Sequence, residues 1–352
     1  MDKDSKVEGT RSSPTRRRRR SSRITITDVA EHADVARITV SRALNDPGTV
    51  SPELRKRIDA AVSKLGYVPN RHAGSLASAV SPVVPIIVPS LSNAVFLEVI
   101  RGAQTVLESA GYESLLGNTD YDVVREQKLM QTLLGWSPAG VIIAGLRHSE
   151  GTLAMLHRWN GPCVEMMEFG TPNIDMNVGL SHEAAGAAMA QHLISRGYRR
   201  IGFVGARIDW DYRAAQRLAG FTKSLNQAGI ELHFVEQFDA PSTVGLGGRA
   251  LKRIVERYPQ AEATFFANDD LAIGAILEAQ RSGIRVPDDM AIAGFNGLNL
   301  GNHITPRLTT IVSPRLRMGR RAAEMLLARI RGESVRQCSK DVGFRLVAQD
   351  ST

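Results

Sequence analysis

Residues 25–45 read TITDVAEHADVARITVSRALN, and this stretch decides how the N-terminal part of the chain folds. Thr25 with Asp28 three residues on forms a capping-box-like helix start, with Asp in place of the usual Glu or Gln. Ile26, Val29 and Ala30 follow at helical spacing. Asp34 marks a turn, because Asp tolerates the left-handed conformation better than most residues. A second short helix is expected from about Arg37 to Leu44, broken by Asn45-Asp46-Pro47-Gly48. Ser51-Pro52 then supplies an N-cap and a first-turn proline. The third helix runs to about Leu65, and Gly66 ends it. Two short helices joined by a tight turn inside a three-helix unit make a helix-turn-helix.

Upstream, residues 1–22 read as a disordered basic tail. They are rich in Ser, Thr, Lys and Arg, and include the run Arg16 to Arg20. Residues 1–23 hold nine Lys/Arg and three Asp/Glu, and residues 24–80 hold seven against six. Of the net charge of +8, only +1 is left for the remaining 272 residues. A nearly neutral body with a basic end fits either a polyanionic partner, most simply nucleic acid, or a solvated tail with no specific role.

Downstream, residues 69–80 form a short segment too small to hold a helix alone in water. It is either a linker or a helix that folds on binding. From about Val83 short apolar runs alternate with longer helical patterns. Val83–Val88 is followed by Ala94–Ala110, Ile201–Val204 by Tyr212–Ala228, and Thr264–Ala267 by Leu271–Arg281. Such alternation implies an α/β fold with parallel sheets covered by helices. Residues 81–352 are long for one such unit, so two lobes are expected, with ligands at the carboxyl ends of strands. No internal sequence repeat is visible. The organisation read here is a tail at 1–22, a helix-turn-helix domain at 23–68, a hinge at 69–80 and a two-lobed core at 81–352.

Several classes are excluded. No apolar run approaches the ~20 residues of a membrane span, and the N-terminus has no secretory h-region. Cys163 and Cys338 are far apart and outside any CxxC pattern, which argues against a disulfide framework or a zinc site. The expectation is a cytoplasmic protein. GxSxG, HExxH and Walker patterns are missing, and the eight histidines show no metal-ligand spacing. No catalytic residue, metal or cofactor is expected. Gly245-Leu-Gly-Gly248 reads as a loosened helix start, and Asp269-Asp270 as a helix cap.

The 25–45 segment closely resembles the lactose/galactose-repressor family of transcription factors, and the resemblance continues through Leu65-Gly-Tyr-Val-Pro-Asn-Arg71 and the rest of the chain. It implies that Arg37, Ile38 and Arg42 read bases in the major groove. Arg42 is suited to guanine, and Ile38, which departs from the polar residue of the best-known members, to a thymine methyl. Thr39, Ser41 and Asn45 meet phosphates. Asp34 and Ala36 replace the family's turn glycine and capping serine. The 69–80 segment resembles the family's hinge helix, which enters the minor groove. Asn70 is then its cap, Ala73 the close approach and Leu76 the apolar wedge.

The body resembles the family's effector-binding core, shared with periplasmic sugar-binding proteins. Its blocks are Phe203-Val-Gly205, Arg217-Leu-Ala-Gly-Phe221, Phe266-Ala-Asn-Asp-Asp-Leu-Ala-Ile-Gly274 and Ala293-Gly-Phe-Asn296. By this resemblance Arg217 and Asn268 hold ligand polar groups. Asn296 stands where members that bind neutral sugars or purines often carry Asp. Arg213 and Arg217 share one helix face, and Arg147, like Arg207, follows a strand end. Converging arginines without an acid at position 296 suit an anionic ligand. The segments Val88–Gly102, Cys163–Met166, Val286–Phe295 and Met325–Ser334 resemble the gluconate-utilisation repressors within this family. They imply that Ser90, Asn93 and Phe96 line the cleft. Glu165 either accepts from ligand hydroxyls or pairs an arginine.

The expected function is a homodimeric repressor of sugar-acid genes. It binds double-stranded operator DNA and is released by gluconate or a related small-molecule sugar acid, with no membrane partner. Release rather than corepression follows from the resemblance alone. The alternatives are a neutral-sugar or purine effector, or a sugar-acid enzyme with an accessory DNA module.

Overall fold

The computed structural model describes residues 24–68, 81–91 and 93–352. The tail and the hinge segment, with Asn70, Ala73 and Leu76, lie outside the described residues. The chain divides into two compact units, Met1–Ala79 and Val80–Thr352.

In the first unit three helices are described: α1 (Ile26–His32), α2 (Arg37–Asn45) and α3 (Pro52–Leu65). Thr25 and Asp28 make a reciprocal capping box, and the Ser51 side chain accepts from the Leu54 amide. Gly66 ends α3 in the left-handed conformation, φ 62°, which costs glycine little. Asp34 takes the same region at the turn, φ 49°, and its carbonyl accepts from the Arg57 guanidinium of α3 at 3.0 Å. Val29, Ala30, Ala33, Val40, Ala43, Ile58 and Ala61 form the core.

The second unit holds two six-stranded sheets. The first contains β1 (Val83–Val88), β2 (Glu113–Asn118), β3 (Val141–Ala144), β4 (Cys163–Glu168), β5 (Met176–Leu180) and β11 (Ser339–Asp341). The second contains β6 (Ile201–Ala206), β7 (Phe234–Phe238), β8 (Ala263–Phe266), β9 (Ala291–Asn296), β10 (Thr309–Val312) and β12 (Arg345–Val347). The strand orders are β2-β1-β3-β4-β5-β11 and β7-β6-β8-β9-β10-β12. The two lobes therefore repeat one architecture that the sequence does not repeat. All pairings are parallel except β10 with β12. Central strands buried on both faces explain the near-continuous apolar runs, such as VVPIIV in β1.

The chain crosses between lobes three times: after β5, after β10, and between β11 and β12. Helices α4 (Ala94–Ser109), α5 (Val123–Leu134), α6 (Glu150–Trp159), α7 (His182–Ser195), α8 (Tyr212–Gln227), α9 (Val244–Arg257), α10 (Asp269–Arg281) and α11 (Arg315–Ile330) complete the unit. Three helix pairs cross through reciprocal glycines. A Cβ at Gly319 of α11 would meet the Val99 carbonyl at 1.9 Å, and one at Gly102 of α4 the Leu316 carbonyl at 2.2 Å. Gly186 and Gly220 join α7 to α8, and Gly247 and Gly274 join α9 to α10, in the same way. Gly247 thus serves backbone approach rather than a loosened helix start. Among the described residues no helix is long and apolar enough to cross a membrane.

Candidate functional site

Two surfaces carry the predicted residues. On the first unit, α2 buries Val40 and Ala43 against the core and turns its other face outward. Arg37, Ile38 and Arg42 are exposed, Ile38 at 63%, while Thr39 and Ser41 are half-buried. Ile38 and Arg42 are four residues apart and share a helix face. An isoleucine left that exposed contributes nothing to the core. Ala36 gives α2 no side-chain cap. Asn45 is the last residue of the helix.

In the second unit, the order 2-1-3-4-5 places a topological switch point between β1 and β3, and another between β6 and β8. These are the places where open parallel sheets hold ligands. The loops after those strands supply the cleft residues. Ser90 and Asn93 follow β1. The Ser90 hydroxyl accepts from the Asn93 amide at 3.2 Å, and Asn93 caps α4 through the Val95 amide at 3.1 Å. Asn268 follows β8 and caps α10 through the Leu271 amide; its Nδ2 donates to Ser242 at 2.7 Å. Asp269, expected as a cap, is instead fully buried. It accepts from the Leu298 amide at 2.6 Å and the Thr310 hydroxyl at 2.7 Å. Burial pushes its pKa up to about 6.

A cavity of about 370 Å³ opens here, lined among others by Ser90, Asn93, Tyr121, Arg207, Ser242 and Asn268. Three carboxylates, Asp120, Asp211 and Asp270, line it too, and burial raises the pKa of Asp270. A second cavity of about 490 Å³ adjoins it and shares Tyr121. Arg147, His148, Trp210, Tyr212 and Arg213 are among its walls. Tyr121 has a backbone φ of 62°. Burial and the Asp211 charge raise its phenol to about 12.

Arg213 and Arg217 sit one turn apart on α8, each 4% exposed. Arg213 lies 5.7 Å from the Phe96 ring centroid and 5.4 Å from that of Tyr212. Its Nε is 3.6 Å from Asp211 Oδ1. Arg217 lies 4.2 Å from the Phe295 ring centroid, donates to His182 Nδ1 at 2.9 Å, and approaches Asp211 at 4.0 Å. Burial lowers its pKa to about 10, so it stays charged at neutral pH. Burial and the two guanidiniums hold His182 neutral, well below the usual histidine range. Its Nδ1 must then accept from Arg217, and its Nε2 donates to the Met167 carbonyl at 3.2 Å. Three buried atoms here lack hydrogen-bond partners among the described residues: Arg217 Nε, Asp211 Oδ1 and Glu168 Oε2. Leaving such atoms unsatisfied costs about 1–3 kcal/mol each.

The remaining predicted residues stand apart from this cavity, and the almost wholly buried Phe96 and Arg217 line neither cavity. Arg147 is exposed and lines the second cavity. Asn296 is 6% exposed at the end of β9 and lines neither cavity; its backbone φ is 122° and its carbonyl accepts from Arg315. Glu165 is fully buried in β4 and lines neither cavity. Its oxygens take the Asn173 amide at 2.7 Å, the Asn173 side chain at 2.9 Å and the Ile174 amide at 3.2 Å, with His148 Nε2 at 3.4 Å. It pairs a histidine, not an arginine. Burial opposes charge on His148, but Glu126 at 3.0 Å and Glu165 outweigh it and raise the pKa to about 9. Sequence reasoning missed Asp211, Tyr121, Tyr212 and His182. Only the position of Asp211 just ahead of the arginine-bearing helix hints at it.

Comparisons with known proteins agree with this architecture. Residues 25–70 match the family described as bacterial regulatory proteins, lacI family, and residues 190–352 match a periplasmic binding protein-like domain. The HTH-type transcriptional regulator GntR of Escherichia coli (strain K12) is 40% identical over 319 residues, 91% of this chain and 96% of the relative. GntR of Pseudomonas aeruginosa (strain PAO1) is 41% identical over 95% of this chain and 97% of its own length. A crystal structure of a LacI-family regulator from Silicibacter pomeroyi superposes with a TM-score of 0.88 at 40% identity, covering 93% of this chain and 99% of that one.

Proposed function

We propose an effector for a chain that belongs to the lacI family of bacterial regulatory proteins: a small sugar acid binds between the two lobes and releases the protein from operator DNA. The chain is a DNA-binding transcriptional repressor, not an enzyme. The observation that carries the ligand reading is the pair of adjoining cavities at the switch points, whose walls combine Arg147, Arg207 and Arg213 with Ser90, Asn93, Ser242 and Asn268. A polyhydroxy acid suits such walls, since a guanidinium pairs well with a carboxylate. Arg217 stands behind them, 4.0 Å from Asp211. Asn93, Ser90 and Asn268 serve its hydroxyls.

The DNA side rests on α2. Arg42 and Arg37 read base edges, Ile38 meets a thymine methyl, and Thr39, Ser41 and Asn45 contact phosphates. Residues 69–80 act as the hinge, with Asn70, Ala73 and Leu76 in the minor groove. The protein works in the cytoplasm as a homodimer, since one helix-turn-helix reads one half-site. Ligand and operator are coupled through a change in the angle between the lobes, a coupling free energy between two sites.

The test is operator binding by fluorescence anisotropy with and without gluconate. Gluconate is expected to lower operator affinity of the wild type, and Arg217→Ala is expected to bind operator normally and ignore gluconate. An Arg217→Ala protein that still responds would place the effector elsewhere.

A further inference from the structure

The two adjoining cavities differ in electrostatic character. In the first, Asp120, Asp211 and Asp270 share the walls with a single arginine, Arg207, whose side chain stands 3.8 Å from Asp239. A carboxylate placed there meets like charge, whereas hydroxyls find acceptors and donors. In the second, Asp122, Glu126 and Asp209 share the walls with Arg147, His148 and Arg213, and each carboxylate is hydrogen-bonded. Asp122 accepts from the Val124 and Arg125 amides, Glu126 holds His148, and Asp209 accepts from Gln237. Arg213 is almost wholly buried, and among the described residues its guanidinium makes no hydrogen bond; it lies against the Phe96 and Tyr212 rings and 3.6 Å from Asp211. Arg147 lies 5.4 Å from the Tyr212 ring centroid, the same distance as Arg213. Both guanidiniums line the one cavity. A guanidinium with unused donors on a cavity wall offers them to an arriving acceptor.

We infer that the second cavity is the anion compartment of the effector site. The ligand's carboxylate seats against Arg147 and Arg213, and its hydroxylated chain passes Tyr121 into the first cavity. Arg147 is thereby the residue that separates acids from neutral polyols. This inference rests on the sugar-acid reading above and adds the direction in which the ligand lies. Tyr212 supports it from the other side. Its hydroxyl reaches the Leu146 amide at 3.0 Å, where Glu168 also accepts at 3.0 Å, so α8 holds the loop that carries Arg147.

The experiment is calorimetric titration of the full chain with gluconate and with glucitol, which carries CH2OH in place of the carboxylate. The wild type is expected to prefer gluconate by at least about tenfold, the value of one charged hydrogen-bond contact. Arg147→Ala is expected to lose about tenfold for gluconate and to bind glucitol within about twofold of wild type. Ser242→Ala, in the first cavity, is expected to weaken both ligands alike. Arg147 is exposed, so its removal leaves folding intact. An Arg147→Ala protein that keeps its preference for the acid, or that loses both ligands equally, overturns this inference and leaves the sugar-acid reading standing. A wild type that binds neither compound, or prefers glucitol, overturns both.

Discussion

Arg217 of α8 donates to His182 Nδ1 at 2.9 Å, and the same histidine reaches the Met167 carbonyl of the other lobe at 3.2 Å. His182 opens α7, just past the first crossing between lobes, so Arg217 is braced against that crossing. His182→Phe keeps the ring and removes the acceptor. Effector affinity is expected to fall about tenfold, the value of a charged hydrogen bond, with operator affinity unchanged when no effector is present. Titration of effector into the variant checks this, and unaltered affinity would show that the brace is idle.

His148 predicts a pH dependence. Its folded pKa of about 9 lies above the free value of 6.5. The folded state therefore binds its proton more tightly. The stabilisation is complete below about pH 6.5 and is lost as pH rises through 9, at most about 3 kcal/mol. Thermal unfolding should show a falling midpoint from pH 7 to pH 9.5. His148→Gln should be less stable at pH 7 and should flatten that slope.

The reciprocal glycines predict stability costs remote from either site. Gly319→Ala places a methyl 1.9 Å from the Val99 carbonyl, and backbone cannot yield as a side-chain tip does. A loss of about 1–3 kcal/mol is expected in denaturant unfolding, against a few tenths for an exposed alanine.

On the DNA side, Arg42→Ala is expected to cost about 1–3 kcal/mol on operator and to relax preference at one base pair, with non-specific binding nearly kept. Ile38→Ala should weaken selection at a neighbouring position by less. Binding to operator variants at fixed salt distinguishes this from a phosphate contact, which would weaken all sequences alike.

The α2 face was legible through the family resemblance, which set Arg37, Ile38 and Arg42 outward; periodicity alone would not have put the apolar Ile38 there. The strands were legible because a parallel sheet buried on both faces demands unbroken apolar runs. The lobe crossings were not, since they depend on which sheet edge receives β11 and β12. The acid in the cleft was hidden for the same reason. Position 296 lacks a carboxylate, yet Asp120, Asp211 and Asp270 converge from three other loops. Glu165 misled because a carboxylate on a strand near the cleft looks like a ligand group, whereas it holds residues 173–174 in place.

The most direct measurement of the central claim is calorimetric titration of the purified full chain with gluconate, 6-phosphogluconate, 2-ketogluconate, glucose and hypoxanthine. Saturable binding of a sugar acid, with glucose and hypoxanthine silent, is the predicted result. Binding of a neutral ligand with every acid silent would contradict it.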